Sequence, residues 1–205
     1  MSKISNQTYY PAVTPVDGDF VIGTDVSDSN STKTFLFSDI KTYIGGELSV
    51  SSSLSASSTT NQDPSGLDTI LQVEFGAAQG TSSDAVQVDA SGTITFNQTG
   101  LYFVNFHASF QRDNATGNAY VLLRNLVNDS ANGFVRAIEL PTNTTLIPHD
   151  ETFPITVTAP STTLKFQIVR DSGNSGANDG GLHAVTTASS FADAPSASVE
   201  IWKLG

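Results

Sequence analysis

The sequence contains no cysteine and few charged residues, and its charge is strongly one-sided. The lack of cysteine excludes disulfide scaffolds, thiolate zinc sites and cysteine nucleophiles. Only 14% of the 205 residues are charged, and 9 Lys and Arg stand against 20 Asp and Glu, for a formal net charge of −11. Because so acidic a chain repels phosphate groups, we expect neither nucleic acid nor an anionic membrane surface as a partner.

Long apolar segments are also lacking. No run approaches the roughly 18 apolar residues that a membrane-spanning helix needs. The first residues, MSKISNQTYYPAV, contain no apolar stretch that could serve as a signal-peptide core. We therefore expect no membrane insertion. We expect a protein made in a cytoplasm that leaves it by another route, such as release inside a virus particle at lysis.

The residues that are present fall into three regions, 1–46, 47–63 and 64–205. In the first region, DFVIGTD and KTFLF are short apolar runs on either side of a turn-rich loop, which predicts a β-hairpin. The segment SDIKTYIGG follows and predicts a short helix that ends at two glycines. About 46 residues with so little apolar surface are not expected to fold stably alone. We expect four residues to be buried against sister chains or another protein: Phe20, Ile22, Phe35 and Phe37.

The second region, 47–63, is rich in serine and threonine. Nine of the fourteen residues from Glu47 to Thr60 are Ser or Thr, which is too polar a composition for a core of its own. The composition predicts a flexible linker. The alternative is a stalk in which Leu48, Val50 and Leu54 pack against the same residues of neighbouring chains.

The third region, 64–205, alternates between apolar and polar residues with a period of two and is interrupted by turn clusters such as DASG and NDSANG. This pattern predicts an all-β protein whose C-terminal domain is an antiparallel jelly-roll sandwich. One face of the strand GLYFVNFHASF carries more large apolar surface than a thin sandwich needs. We therefore expect this face, or the Leu101–Phe103 face, to line the axis of a homotrimer, and the predicted interface residues are Tyr102, Phe106 and Phe110.

Two resemblances add to this reading. The segment GTITFNQTGLYFVNFHASF, followed by AYVLLRNLV, TLIPHDETFPITV and a closing SASVEIWKLG, resembles the trimeric jelly rolls of the tumour-necrosis-factor and complement-globular-head type. The order of these segments covers roughly residues 68–205. Gly100 and Tyr102 are its distinctive residues. The resemblance implies a trimer-forming jelly roll with a closing C-terminal strand.

The N-terminal region has a resemblance of its own. Thr32, Lys33, Thr34 and the apolar run before Ser-Asp-Ile are similar to the head-proximal modules of bacteriophage fibre and appendage proteins. Such a module implies attachment to another virion protein and a virion location for the chain.

Motifs for catalysis or metal binding are not found. His107, His149 and His183 are scattered, and none has the spacing of a metal ligand pair; His149 is expected in a solvated turn beside Asp150 and Glu151. No nucleophile, phosphate or dinucleotide motif occurs, so we expect neither an enzyme nor a cofactor. The loop from Asp171 to Gly181 is a weak calcium candidate through Asp171, Asn174, Asn178 and Asp179.

Taken together, these features predict a homotrimeric phage fibre or appendage whose jelly-roll head contacts a glycan or protein of the host surface. Polar loops at the distal end of the head are expected to make the contact, and the three candidate loops are Asp113–Asn118, Asn128–Gly133 and Asp171–Gly181. Within the last of them, Asn174, Asn178 and Asp179 are the predicted contact residues. The alternative is a head fibre or capsid decoration protein with a structural or weakly adhesive role. A third possibility is a polysaccharide-degrading appendage, although the domain is small and has no long repetitive β-helix.

Overall fold

The computed structural model of the chain describes residues 18–25, 31–36, 38, 40, 50–112, 119–133, 135–141, 146–173 and 179–204. The chain forms two compact units, one of residues 1–49 with Gly205 and one from Val50 to Leu204. In the described residues, no helix has the length and apolar character required to cross a membrane.

The described part of the N-terminal unit is a two-stranded antiparallel hairpin. Strand β1 (Phe20–Asp25) pairs with β2 (Ser31–Leu36), with Phe20 opposite Leu36 and Ile22 opposite Thr34. The predicted hairpin is therefore confirmed. Ser38 and Ile40 have helical backbone conformation, and the remaining residues of the predicted helix lie outside the described residues.

The C-terminal unit is built almost entirely of short strands. In chain order they are β3 (Val50–Ser58), β4 (Leu71–Gln72), β5 (Val86–Val88), β6 (Ile94–Phe96), β7 (Gly100–Gln111), β8 (Ala119–Val127), β9 (Ser130–Ala131), β10 (Arg136–Leu140), β11 (Ile147–Val157), β12 (Thr162–Arg170), β13 (Gly181–Leu182) and β14 (Ala197–Leu204).

These strands form two antiparallel sheets that face each other. Sheet I has the order β10-β8-β12-β6-β5, and sheet II has the order β11-β7-β14-β3. The chain repeatedly changes sheet, for example from β6 to β7, from β10 to β11 and from β12 to β14, so non-consecutive strands are neighbours. This is the arrangement of a jelly-roll sandwich, and it confirms the predicted all-β fold class.

The core lies between the two sheets and is aromatic. The inward-facing side chains of β7, among them Tyr102, Phe106 and Phe110, are completely buried. Phe106 stacks on Phe166 of β12 with ring centroids 4.1 Å apart, and the edge of Phe75 meets both rings. Burial also raises the pKa of Tyr102, whose hydroxyl donates to the Gln98 carbonyl at 2.9 Å.

The predicted trimer interface at Tyr102, Phe106 and Phe110 is therefore wrong. These residues do form one face of β7, as the alternation indicates, but the opposite sheet of the same chain covers that face. The apolar surface that seemed excessive for one domain is needed to fill the space between two sheets that stack about 10 Å apart.

The linker prediction is also wrong from Val50 onward. Residues Val50–Ser58 form an edge strand of sheet II that pairs with β14 over its whole length. Leu54 packs against the core and Ala56 lies within it, while the alternating Ser53, Ser55 and Ser57 are exposed. Gln62 is also integrated, because its side-chain amide exchanges hydrogen bonds with the backbone of Glu74 at 2.9 and 2.7 Å. Main-chain pairing thus compensates for a composition that is too polar to pack alone.

Candidate functional site

The clearest candidate site is a cleft at one open side of the sandwich, where β10 of sheet I lies near β11 of sheet II. The inward-facing series of β11 begins at Ile147 and continues through His149, Glu151 and Phe153. Two of its members are therefore polar and point toward the opposite sheet. The sequence prediction that placed His149 and Glu151 in a solvated turn is wrong, because IPHDETFPITV is one continuous strand paired with β7.

The opposite wall of this cleft is also partly polar. Asn125 of β8 and Arg136 of β10 occupy positions in phase with the buried residues of their strands. The guanidinium of Arg136 lies 3.6 Å from the carboxylate of Glu151, so a charge pair connects the two sheets. We call the enclosed space the inter-sheet cleft. It measures about 200 Å³ and is lined by Leu123, Arg124, Asn125, Asn132, Gly133, Arg136, Glu151, Phe153, Pro154 and Phe166.

The polar groups of the inter-sheet cleft are unequally satisfied. Arg124 alternates with the buried Leu123, and its guanidinium donates two hydrogen bonds to the Gln167 side chain on the outer face of sheet I, at 3.0 and 2.8 Å. In contrast, Oδ1 of Asn125 and Nε2 of His149 are buried and have no hydrogen-bond partner in the described structure. The His149 nitrogen lies 3.7 Å from Glu151, too far for a hydrogen bond. A buried acceptor without a partner costs about 1–3 kcal/mol, so Asn125 destabilises this edge of the sandwich.

A second concave surface lies at the other open side of the sandwich, between β3 and β5. This groove is more open and largely polar. It is lined by Ser51, Ser52, Ser53, Leu54, Ser55, Gln79, Gly80, Asp84, Ala85, Val86, Gln98 and Lys203. The Lys203 ammonium donates to Gln98 at 3.1 Å and is thereby held within the groove. Few apolar side chains face this space, which makes it a weaker candidate for a small ligand.

The outward face of sheet II carries a row of apolar side chains. Trp202 lies directly opposite Phe103, and Phe103 lies opposite Pro154 on the next strand. Phe103 and Trp202 are half-buried, and Leu101 is 38% exposed. This row, which we call the outer row, includes the Leu101–Phe103 face that the sequence analysis offered as the second location of a trimer interface.

Farther along the same face, three polar side chains form a hydrogen-bonded line. Nδ1 of His107 lies 2.7 Å from Asp150, and its Nε2 lies 3.3 Å from the hydroxyl of Ser109. The order resembles a serine–histidine–carboxylate triad, a pairing that the sequence analysis missed because the residues lie on two strands. However, Ser109 is only 5% exposed, which leaves little room for a substrate beside its hydroxyl. Its backbone N–H donates a hydrogen bond to the Ser196 carbonyl, so this N–H is not available to stabilise an oxyanion.

The predicted loop residues are only partly described. Asn174 and Asn178 lie outside the described residues, and Asp179 accepts a hydrogen bond from the N–H of Gly180 at 2.8 Å. A carboxylate oxygen of Asp171 lies close to Gly173, 3.3 Å from the position that a Cβ atom on this glycine would occupy. Among the described residues, no group of three or more His, Cys, Asp or Glu could hold a metal ion, so the calcium hypothesis stays untested.

The strand register does establish which end of the sandwich these loops adjoin. Arg170 pairs with Val121, and Gly181 pairs with Gln111, so the residues flanking 113–118 and 171–181 share one end. Val50 pairs with Leu204 at the opposite end. The strand ends beside 128–133 belong to that opposite end, because Val127 pairs with Leu164 near the start of β12. Two of the three candidate loops thus start and finish away from the point where the chain enters the unit.

The predicted attachment residues are exposed where the structure describes them. Phe20 is 63% exposed, Ile22 is 67% exposed and Phe35 is 38% exposed, and Phe37 lies outside the described residues. Val21 and Leu36 of the same hairpin are also exposed. Both faces of the hairpin thus present apolar side chains.

The fold and these surfaces define an antiparallel jelly-roll sandwich with a separate N-terminal hairpin unit. No family model matches the chain, and no curated protein sequence matches it. Among solved structures, the globular domain of a zebrafish complement 1qA protein is similar at 13% identity and a TM-score of 0.37, covering 75% of this chain and 95% of that one.

The Eiger TNF of S. frugiperda is similar at 12% identity and a TM-score of 0.40, covering 75% of this chain and 93% of that one. The jelly-roll assignment itself rests on the strand order described above.

Proposed function

We propose that this chain is a non-enzymatic structural protein of a virion, a homotrimeric fibre or appendage. Its hairpin unit attaches it to another virion protein, and its jelly roll contacts the host surface. The resemblance of residues 10–45 to phage appendage modules suggests the virion. The observation that carries the proposal is the exposed apolar surface of the hairpin.

The hairpin requires a partner on energetic grounds. A two-stranded hairpin is at best marginally stable in water, because it has no second layer on which to bury its side chains. Here Phe20 and Ile22 lie on one face and Val21 on the other, and all three are substantially exposed. Full burial of such a side chain contributes about 1.5–3 kcal/mol, so docking would supply the stability that the isolated hairpin lacks.

The outer row supports self-association of the head. Leu101, Phe103 and Trp202 form an apolar patch on the flat side of a sheet, which suits contact with another copy. Loops rich in Asn, Asp, Ser and Gly at the far end would then contact a host surface in three copies, which raises the avidity of individually weak contacts.

Polysaccharide cleavage is less well supported. Hydrolysis of a glycosidic bond requires two carboxyl groups facing each other across a cleft. Of the described residues that line the inter-sheet cleft, only Glu151 carries a carboxylate, and it is paired with Arg136. Ester hydrolysis that is lost in a Ser109→Ala variant would contradict the non-enzymatic part of the proposal.

Substitution within the hairpin tests the attachment role. We expect Ile22→Glu to prevent incorporation into particles, because a charge would be buried at the docking surface, while far-UV circular dichroism and the thermal midpoint of the C-terminal unit stay unchanged. The matched control is Thr32→Glu, which adds the same charge at an exposed polar position of the hairpin. Normal incorporation of the Ile22→Glu protein would disprove the attachment assignment.

A further inference from the structure

The outer edge of β3 carries backbone groups that point away from its own sheet. β3 is the last strand of sheet II, and its register with β14 is continuous from Ser52 to Ser58. The Ser58 carbonyl accepts a hydrogen bond from the N–H of Ser196 beside β14, at 2.8 Å. Because the backbone groups of successive residues in a strand point to opposite edges, those of Ser53, Ser55 and Ser57 point away from β14.

Only part of this outer edge is covered. Gly76 covers it at Ser57, since the Ser57 carbonyl oxygen lies 2.5 Å from the position that a Cβ atom on Gly76 would occupy. Ser53 and Ser55 are exposed. In the part of the chain that the structure describes, their outward N–H and C=O groups pair with no other strand. Two donors and two acceptors are therefore available along this edge.

The other sheet edges are protected against pairing, as natural sheets generally are by proline, charge or short length. β11 carries Pro148 and Pro154, and β10 carries Arg136 and Glu139. β5 has three residues, and backbone hydrogen bonds to Gln79 at 2.9 and 3.0 Å already occupy its outer side. β3 has nine residues without a charge or a proline. Its edge is therefore suited to accept a further strand.

The outer edge of β3 borders the groove between β3 and β5, and the residues from Ser51 to Ser55 help to line it. The groove has a volume of about 550 Å³, within the ~300–1,000 Å³ of typical ligand sites. Four residues of an extended chain are about 13 Å long, which matches the length of β3 from Ser51 to Ser55. The groove thus has room for a short extended segment beside Ser53 and Ser55.

The side chains around the groove indicate what such a segment carries. Leu54 and Val86 face the groove and offer apolar surface for one small side chain that points inward. On the outward face, the exposed hydroxyls of Ser53 and Ser55 suit serine or threonine on the neighbouring strand. We therefore expect alternation of a small apolar residue with hydroxyl-bearing residues.

The charges in the groove already have partners. The Lys203 ammonium donates to Gln98 at 3.1 Å, and the Asp84 carboxylate accepts from the Thr81 N–H at 2.6 Å. One positive and one negative group thus offset each other. A charged segment would gain no net attraction there, which favours an uncharged one.

We infer that the groove between β3 and β5 binds an extended, uncharged segment of another protein, which adds to sheet II as a strand antiparallel to β3. A second copy of the head is a poorer occupant, because a contact through two residues of one edge would bury far less than the ~1,200 Å² of a stable interface. A single extended segment contacts both walls of the groove. The inference goes beyond the proposed function, since it uses neither the hairpin nor the outer row.

NMR and backbone amide exchange on the purified full-length chain test the inference. The probe is the peptide acetyl-Ser-Thr-Val-Thr-Ser-amide in about 0.15 M salt. We expect a dissociation constant of about 1 mM, since few atoms make contact. The peptide should shift the amide signals of Ser53 and Ser55 and slow their exchange. The exchange of the Leu54 amide, which faces β14, should change little.

N-methylated peptides distinguish main-chain pairing from other contacts. In the antiparallel arrangement, the threonine N–H groups of the peptide face β3 and the valine N–H faces away. A methyl group on the nitrogen of the first threonine should weaken binding about tenfold or more. The matched control carries the same methyl group on the valine nitrogen and should bind as the unmodified peptide does. Peptides with Asp or Lys in place of both threonines should bind more weakly.

The corresponding change in the protein is Ser53→Pro, which removes one outward N–H. We expect it to weaken peptide binding about tenfold. The thermal midpoint should stay close to that of the parent, because this N–H does not pair with β14 and an edge strand accommodates proline. The matched control is Ser53→Ala, which keeps the N–H and should bind the peptide as the parent does.

Four outcomes would overturn the inference: no binding of the unmodified peptide, equal binding of the two N-methylated peptides, tighter binding of the Asp or Lys peptide, or protection by a second copy. The last would appear as slow exchange of the Ser53 and Ser55 amides without peptide, increasing with protein concentration. If the peptide binds as expected while the parent neither assembles nor joins particles, the proposed virion function fails and the strand-binding site stands.

Discussion

Replacing Phe106 distinguishes a core residue from an interface residue. The side chain is completely buried, stacks on Phe166 with ring planes only 9° apart, and receives the edge of Phe75 at 6.1 Å. A Phe→Ala change in a core costs about 3–5 kcal/mol, and the aromatic contacts on two sides favour the upper half of that range. Since a domain has only about 5–15 kcal/mol of stability, Phe106→Ala should leave a marginally folded protein.

Because that protein could fail to fold, Phe106→Leu provides the quantitative measurement. It keeps most of the volume, so we expect a loss of about 1–2 kcal/mol, measured as a lower urea midpoint with an unchanged slope. Unfolding is followed at several protein concentrations, because the stability of an assembled protein depends on concentration. The mass of the folded protein by light scattering should equal that of the parent.

Trp202→Ala is the contrasting variant, because this half-buried side chain belongs to the outer row. We expect it to lower the assembly mass toward the 21.5 kDa of one chain and to leave the folded signal intact. If Phe106→Leu instead dissociates the assembly without changing the unfolding midpoint, the assignment of Phe106 to the core is refuted. A parent protein that is a stable monomer at micromolar concentration would refute the trimer.

Two further predictions concern turns of the C-terminal unit. Partial burial raises the pKa of Asp89, but hydrogen bonds donated by Ser91 and Thr93 outweigh it and hold the pKa below its ordinary value of 3.8. A carboxyl group whose pKa is lowered by folding adds stability above pH 3.8, and this stability is lost as the pH falls toward the pKa of the folded state. The urea midpoint of Asp89→Asn should therefore fall less steeply with decreasing pH than that of the parent. An equally steep fall in both proteins would contradict this role of Asp89. Gly92 has a φ of +81°, and a Cβ there would overlap the Val73 carbonyl at 1.8 Å. Gly92→Ala should therefore lower the free energy of unfolding in denaturant by well over ~1 kcal/mol. The control is Gly133→Ala, because Gly133 also has a positive φ but has open space around it, and its loss should be smaller. Equal losses would show that backbone strain alone, without the overlap, sets the cost.

The polar residues of β11 at the candidate site have a signal in the sequence. His149 lies two positions after Ile147, and Glu151 lies two positions before Phe153, so both interrupt an apolar series at inward positions. Polar residues in phase with a buried face predict a polar group inside a sandwich. Their cross-sheet neighbours Asn125 and Arg136 could not be named in this way, because the stacking of two sheets depends on contacts far apart in the chain.

The sequence by itself determined the local structure of most strands. The period-two alternation separates the two faces of β7 and β12 correctly, and turn clusters separate strands at the expected places. Side-chain direction follows from backbone geometry over a few residues, so local patterns are sufficient for it. The hairpin of β1 and β2 was found for the same reason.

Only the tertiary structure decided what covers each face. Alternation shows that Tyr102 and Phe106 need an apolar neighbour, and it does not distinguish a second sheet from a second chain. The serine-rich residues 50–58 became a strand because β14, almost 150 positions later in the chain, offers its backbone groups to them. Backbone hydrogen bonds to a distant strand leave no hydrophobic pattern in the residues that make them. The composition of residues 50–58 alone therefore predicted a linker.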